Sequence, residues 1–160
     1  MSQTIKVGIS DLNIAKMPDV LVTYALGSCV GICLYDRTAK IAGLSHIMLP
    51  TSKGAVNPQP MRFADTAIEI LVKKMVAAGA SKVRLTAKIA GGARMFSTFS
   101  DSSLYNIGDR NLAAVKEELA RLRIPLLADD TGKDYGRTVF FYSENGNMCV
   151  KSASRGEKTL

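Results

Sequence analysis

The first third of the chain carries four short apolar runs with no helical period between them, and this constrains the fold more than any other feature. Thr4 to Ile9 and Val20 to Leu26 read as strands on their content of Val, Ile and Thr. Cys29 to Leu34 reads as a buried strand ended by Tyr35-Asp36, and Ile41 to Leu49 as another ended by Pro50. Strands that follow strands directly exclude a regularly alternating βα barrel. Gly54, Asn57, Pro58 and Pro60 then mark a loop.

Two amphipathic helices complete the pattern. From about Met61 to Ala78, Ile68, Leu71, Val72, Met75 and Val76 recur at three- and four-residue spacing, with Gly79 as the C-terminal cap. From about Asp109 to Leu122, Leu112, Val115, Leu119 and Leu122 line one face, with Asp109 as the N-cap. Lys82 to Ile89 alternates charged and apolar residues, as a strand with one wet face does. Ile124 to Ala128, Arg137 to Tyr142 and Met148 to Lys151 are further strands, the last two joined by a Glu144-Asn145-Gly146 turn. The expectation is an α+β fold, a layered sandwich of mixed β-sheets with two main helices. It occupies residues 1–151 as one domain and leaves 152–160 as a flexible tail.

Composition removes several functions. The chain is 47% hydrophobic and 22% charged, enough apolar material for a core and too much for disorder. No run of about 18 apolar residues is present, and the N-terminus lacks an apolar signal region, so a cytoplasmic protein without membrane insertion is expected. The net charge of +7 favours an acidic partner. The cations are scattered, with no basic run and no nucleic-acid motif, so nucleic acid is not the expected partner.

Three cysteines and one histidine define what chemistry is available. The odd cysteine count argues against a disulfide framework, and Cys29-x3-Cys33 within an apolar run does not suit structural zinc. Neither a metal nor a cofactor is expected. Gly27-Ser28 interrupts two apolar runs and sets Cys29 at the head of the second. Glycine permits a sharp turn there, and N–H groups beside a cysteine at such a turn could form an oxyanion hole. Taken alone, the same residue reads first as a small core side chain, as Cys33 and Cys149 do.

His46 lies in a strand that is otherwise apolar, and any imidazole chemistry must pass through it. Beside Cys29, an imidazolium would lower the thiol pKa from about 8.5 toward neutrality. A hydroxyl or carbonyl would then have to orient the ring, and Thr23 is one candidate. Composition and spacing leave the catalytic and the structural readings open. Gly91-Gly92 either lines a cleft or ends a strand tightly. Phe96 and Phe99 either anchor a partner contact or fold over the core, and Met61, Met75 and Met95 read as core filler.

Several motifs in order carry a resemblance. Leu26-Gly27-Ser28-Cys29-Val30, Asp36 and Ser45-His46-Ile47-Met48-Leu49-Pro50 are followed by Arg62-Phe63-Ala64-Asp65 and Lys88-Ile89-Ala90-Gly91-Gly92-Ala93-Arg94-Met95-Phe96. Ile107-Gly108-Asp109-Arg110-Asn111 and Arg137-Thr138-Val139 complete a set that resembles the chemoreceptor glutamine deamidase family, CheD. The resemblance implies a toxin-deamidase-like cysteine hydrolase fold and a Cys-His-Thr triad of Cys29, His46 and Thr23. It implies conversion of receptor glutamines to glutamate through a thioester, and esterase action on glutamate methyl esters. The partners implied are the chemoreceptor cytoplasmic domain and the CheC phosphatase. A non-catalytic module that docks on CheC or receptor is the alternative. One departure stands out: the family often has a double glycine after the position of Asp130, where this chain has Gly132-Lys133.

Overall fold

A computed structural model describes residues 1–95 and 106–160. In chain order the strands are β1 (Thr4–Lys6), β2 (Asp11–Lys16), β3 (Val20–Leu26), β4 (Val30–Asp36) and β5 (Ile41–Ile47). Helix α1 (Ala64–Ala77) and β6 (Thr86–Gly91) follow, then α2 (Ile107–Arg121), β7 (Leu126–Thr131), β8 (Arg137–Tyr142), β9 (Met148–Ser152) and β10 (Gly156–Thr159). They form two five-stranded sheets, ordered β1-β3-β8-β9-β10 and β2-β5-β4-β6-β7. The β1–β3 and β6–β7 pairs are parallel and the other ladders antiparallel, so both sheets are mixed.

The layers follow from side-chain alternation along β4 and β5, which are buried at every position. Val30, Ile32, Leu34, Ile41 and Ile47 join Ile68, Leu71, Met75, Val115 and Leu119 in a core between the second sheet and the helices. Cys33, Tyr35, Ala42 and Leu44 meet Leu21, Leu26, Val139, Phe141 and Val150 in a core between the sheets. The molecule is thus a sheet, a sheet and a helical layer, the expected α+β sandwich. Helix α1 ends as its sequence predicts. Gly79 takes φ +118°, its N–H reaches the Val76 carbonyl at 3.0 Å, and the Ala80 N–H reaches that of Met75 at 3.0 Å.

Several boundaries are corrected. The first strand stops at Lys6, and β2, unforeseen, follows it. β2 is an edge strand on which Asp11 and Asn13 accept the N–H groups of Leu12 and Ile14, both at 2.8 Å, and so block further pairing. Lys82–Arg84 forms a 3-10 turn before β6, because buried Asp36 accepts the Ser81 N–H at 2.8 Å and the Arg84 guanidinium at 2.9 Å. Burial alone would push the Asp36 carboxyl up, but Arg84 and the N–H groups of Ser81, Ala39 and Thr38 hold it well below the usual carboxylate range. Asp109 is not the N-cap of α2; it lies in the first turn and accepts Arg94 Nε at 2.8 Å.

The tail expected from Ser152 is instead strand β10, paired with β9. The backbone of Leu160 pairs with Met148 at 2.8 Å and 2.9 Å, and its carbonyl accepts Lys88 Nζ at 2.9 Å. Every side chain of β10 is exposed, so no apolar alternation marked it in the sequence.

Candidate active site

The chain crosses from the first sheet to the second between β3 and β4, and the residues singled out in the sequence gather at that crossing. Where β3 ends, its register with β8 shifts between Thr23 and Leu26, and Ala25 takes a left-handed φ of +59°. Such a bulge bends a strand away from its sheet. Gly27, Ser28 and Cys29 then make the turn that feeds β4. Cys29 is half-buried and packs against the inter-sheet core.

The turn is held from three sides. The Cys29 carbonyl accepts the Gly92 N–H at 2.8 Å, and the Gly27 carbonyl accepts that of Ala93 at 2.8 Å. The Gly91 backbone approaches so closely that a Cβ there would lie 2.2 Å from the Cys29 oxygen, and its φ is +108°. Gly91-Gly92 therefore ends β6 tightly and braces the cysteine turn at once. From the helical layer, Asn111 Nδ2 donates to the carbonyls of Ser28 and Met48, each at 2.9 Å. Met95 is 46% exposed and lies against Gly27, so it is not core filler.

His46 is fully buried in β5, opposite Gly31 of β4. Its ring points into the inter-sheet layer, where Nδ1 lies 2.7 Å from the Thr23 hydroxyl of the other sheet. That hydroxyl donates its one proton to the Val7 carbonyl at 2.7 Å. It can then only accept from the ring, so Nδ1 carries the proton and Nε2 the lone pair. Nε2 is buried with no hydrogen-bond partner among the described residues. Alternation puts Cys29 on the same face as Gly31 and Cys33, diagonal to His46 across the β4–β5 pair, and Gly31 offers no side chain between them.

Burial sets the charges. It pulls the His46 imidazole down to about 4, from an ordinary 6.5. It pushes the Cys29 thiol up, opposed in part by the residue's own N–H beside the sulfur. Burial thus favours the uncharged form of each group, against the lowered thiol that an ion pair would give. Cys33 and Cys149 are buried, and burial raises both thiols.

Beside the turn lies an open cleft of about 530 Å³ lined by Arg94, Asp109, Lys133, Asp134 and Arg155. The Arg94 N–H donates to the Lys133 carbonyl at 2.8 Å, so the cleft wall continues the segment bound to Gly27. Gly132 and Lys133 both take left-handed backbone, with φ of +76° and +63°. Lysine thus occupies a conformation that favours glycine. Phe96 and Phe99, singled out as a partner contact, lie outside the described residues.

This is the fold of a two-sheet α+β protein seen in a crystal structure of a Neisseria meningitidis protein of the DUF152 family. That structure has a TM-score of 0.53 and 9% identity, and the match covers 81% of this chain and 64% of that one. A family model described as CheD, chemotactic sensory transduction, matches residues 48–152. Two relatives are each named a probable chemoreceptor glutamine deamidase CheD. That of Caldanaerobacter subterraneus is 52% identical over 99% of both chains, and that of Syntrophomonas wolfei 48% identical over the full length of both. The chain belongs to the CheD family.

Proposed function

We propose that this chain is a cytoplasmic protein-glutamine deamidase that converts chemoreceptor glutamines to glutamate, with Cys29 as nucleophile, His46 as base and Thr23 as orienting group. One observation carries the reading: the Thr23 hydroxyl, committed to the Val7 carbonyl, fixes the proton on His46 Nδ1 and leaves Nε2 unpartnered on the face that Cys29 shares.

The thiol S–H gives its proton to Nε2 as sulfur bonds to the carboxamide carbon, and the C=O electrons move to oxygen. The N–H groups of Ser28 and Cys29 hold that oxyanion; the Cys29 N–H already faces its own sulfur. As the oxyanion collapses, the C–N bond breaks and the imidazolium returns its proton to the departing ammonia. Water then attacks the thioester, passing a proton to Nε2, and the C–S bond breaks to give glutamate and the thiol. A glutamate methyl ester would follow the same course with methanol leaving.

The test is mass spectrometry of a receptor cytoplasmic fragment incubated with the protein and with Cys29→Ala. Glutamine-to-glutamate conversion that disappears in the variant is the expected result. A folded wild-type protein that leaves a cognate receptor unchanged would overturn it in favour of the docking module.

A further inference from the structure

We infer that Asn111 is a positioning residue that sets the spacing of Cys29 and His46 by plugging the fork between β4 and β5; this rests on the triad reading above. The β4–β5 ladder ends at the pair Val30 and Ile47. Beyond it the strands part. The N–H groups of Met48 and Leu49 turn to the Arg62 carbonyl at 2.9 Å and 3.1 Å, and the Cys29 carbonyl turns to Gly92. The Ser28 and Met48 carbonyls are left facing the gap, and the carboxamide of Asn111 spans it with two N–H bonds of 2.9 Å. Only a side chain with two donors on one nitrogen can hold both carbonyls from a single point.

The arrangement carries a cost that a purely structural position would shed. Asn111 is fully buried, and its Oδ1 has no hydrogen-bond partner among the described residues. A buried unpaired amide oxygen is the kind of local violation that concentrates at functional sites. What it holds explains its retention. Ser28 immediately precedes the nucleophile, and Met48 lies two residues beyond the base. Freeing the fork would let the head of β4 move relative to His46, and a displacement of about 1 Å at a reacting pair can cost about 10²-fold in rate.

Asn111→Asp, nearly isosteric, removes the double donor, and Asn111→Ser leaves room for water between the carbonyls. With folding verified by circular dichroism, the variants lower kcat about 10²-fold with KM little changed. In a His46→Ala background, where no base remains to be positioned, the same substitution costs little more. The iodoacetamide alkylation rate of Cys29, read by peptide mass spectrometry, gives a second readout that needs no receptor. Substituting Asn111 in the wild type lowers that rate at a fixed neutral pH toward the rate of His46→Ala. An equal additional loss in the His46→Ala background, or an unchanged kcat and alkylation rate, overturns the inference. Failure of the triad reading shows separately, as conversion that survives Cys29→Ala. If Asn111→Asp does not fold, Asn111→Ser decides alone.

Discussion

Thr23→Val tests the orientation of the base with almost no change in shape. Valine fills the same volume and favours a strand, so β3 should persist. What disappears is one oxygen that serves two buried groups, accepting from His46 Nδ1 and donating to the Val7 carbonyl, both at 2.7 Å. Each group left unpaired costs about 1–3 kcal/mol, so the variant should lose about 2–6 kcal/mol of stability. For a chain of this size, each kcal/mol lowers Tm by about 2–4 °C. The catalytic loss has a different origin: nothing then holds the proton on Nδ1, and the ring can place it on Nε2, where the lone pair is needed. Loss of an effective base costs about 10²–10⁴-fold in kcat. Thr23→Ser keeps the hydroxyl and loses one buried methyl, about 0.8 kcal/mol, so it should retain activity within about tenfold. Deamidation rates on a receptor fragment and thermal unfolding together make the assay. A Thr23→Val protein that is folded and within tenfold of wild type would refute this account of the base.

Three further outcomes are expected. Because burial raises the Cys29 thiol and lowers His46 to about 4, the rate of Cys29 alkylation should climb about tenfold per pH unit through neutrality with no plateau, whereas an acid-side plateau would reveal a resting ion pair. Between about 4 and the ordinary 6.5 the unfolded chain binds the His46 proton and the folded chain does not, so this contribution to stability is complete above 6.5 and is lost as pH falls toward 4. In the cleft beside the turn, Lys133→Gly relieves a left-handed lysine worth roughly 1–2 kcal/mol, less glycine's own entropic cost of about 0.5–1 kcal/mol. The variant should be no less stable, yet show a higher KM for a peptide with glutamates beside the target glutamine. That penalty should shrink as salt is added, and an unchanged KM at low salt would exclude the cleft from substrate binding.

How much of this was legible in the sequence depended on whether a residue's partner was implied by its neighbours. The strands of the buried second sheet were readable because both faces of β4 and β5 are apolar. β2 was not, since this edge strand mixes the apolar Leu12, Ile14 and Ala15 with polar residues over only six positions, nor was β10, an edge strand whose side chains are all exposed; both owe their conformation to the strand beside them. Thr23 and His46 could be named from their residue types and from the resemblance, but the bond between two sheets needed the fold. Asn111 stood within a motif without a role. Its two acceptors are backbone carbonyls 83 and 63 residues away, and no side-chain pattern encodes such a partner. The balance of charge was the least readable. An imidazole near a thiol suggests an ion pair, whereas the burial of each, visible only in the fold, favours the neutral forms.

That neutral pair has a chemical consequence. A resting thiolate is the form that oxidants and stray electrophiles attack, and its reactivity would be present whether or not substrate was bound. A half-buried thiol beside a neutral base keeps its proton until an electrophilic carbon arrives. The transfer then creates charge only where donors already stand, at the N–H groups of the cysteine turn. In the proposed mechanism, an imidazolium formed on Nε2 would keep its Nδ1 proton on Thr23, whose own proton stays on the Val7 carbonyl, so this hydrogen-bonded chain need not reorganise. On the proposed roles the base comes from one sheet and its orienting hydroxyl from the other, so deamidation depends on the sheets being packed. Loss of inter-sheet packing should therefore abolish deamidation, while the Cys29 thiol, no longer raised by burial, becomes more open to alkylation.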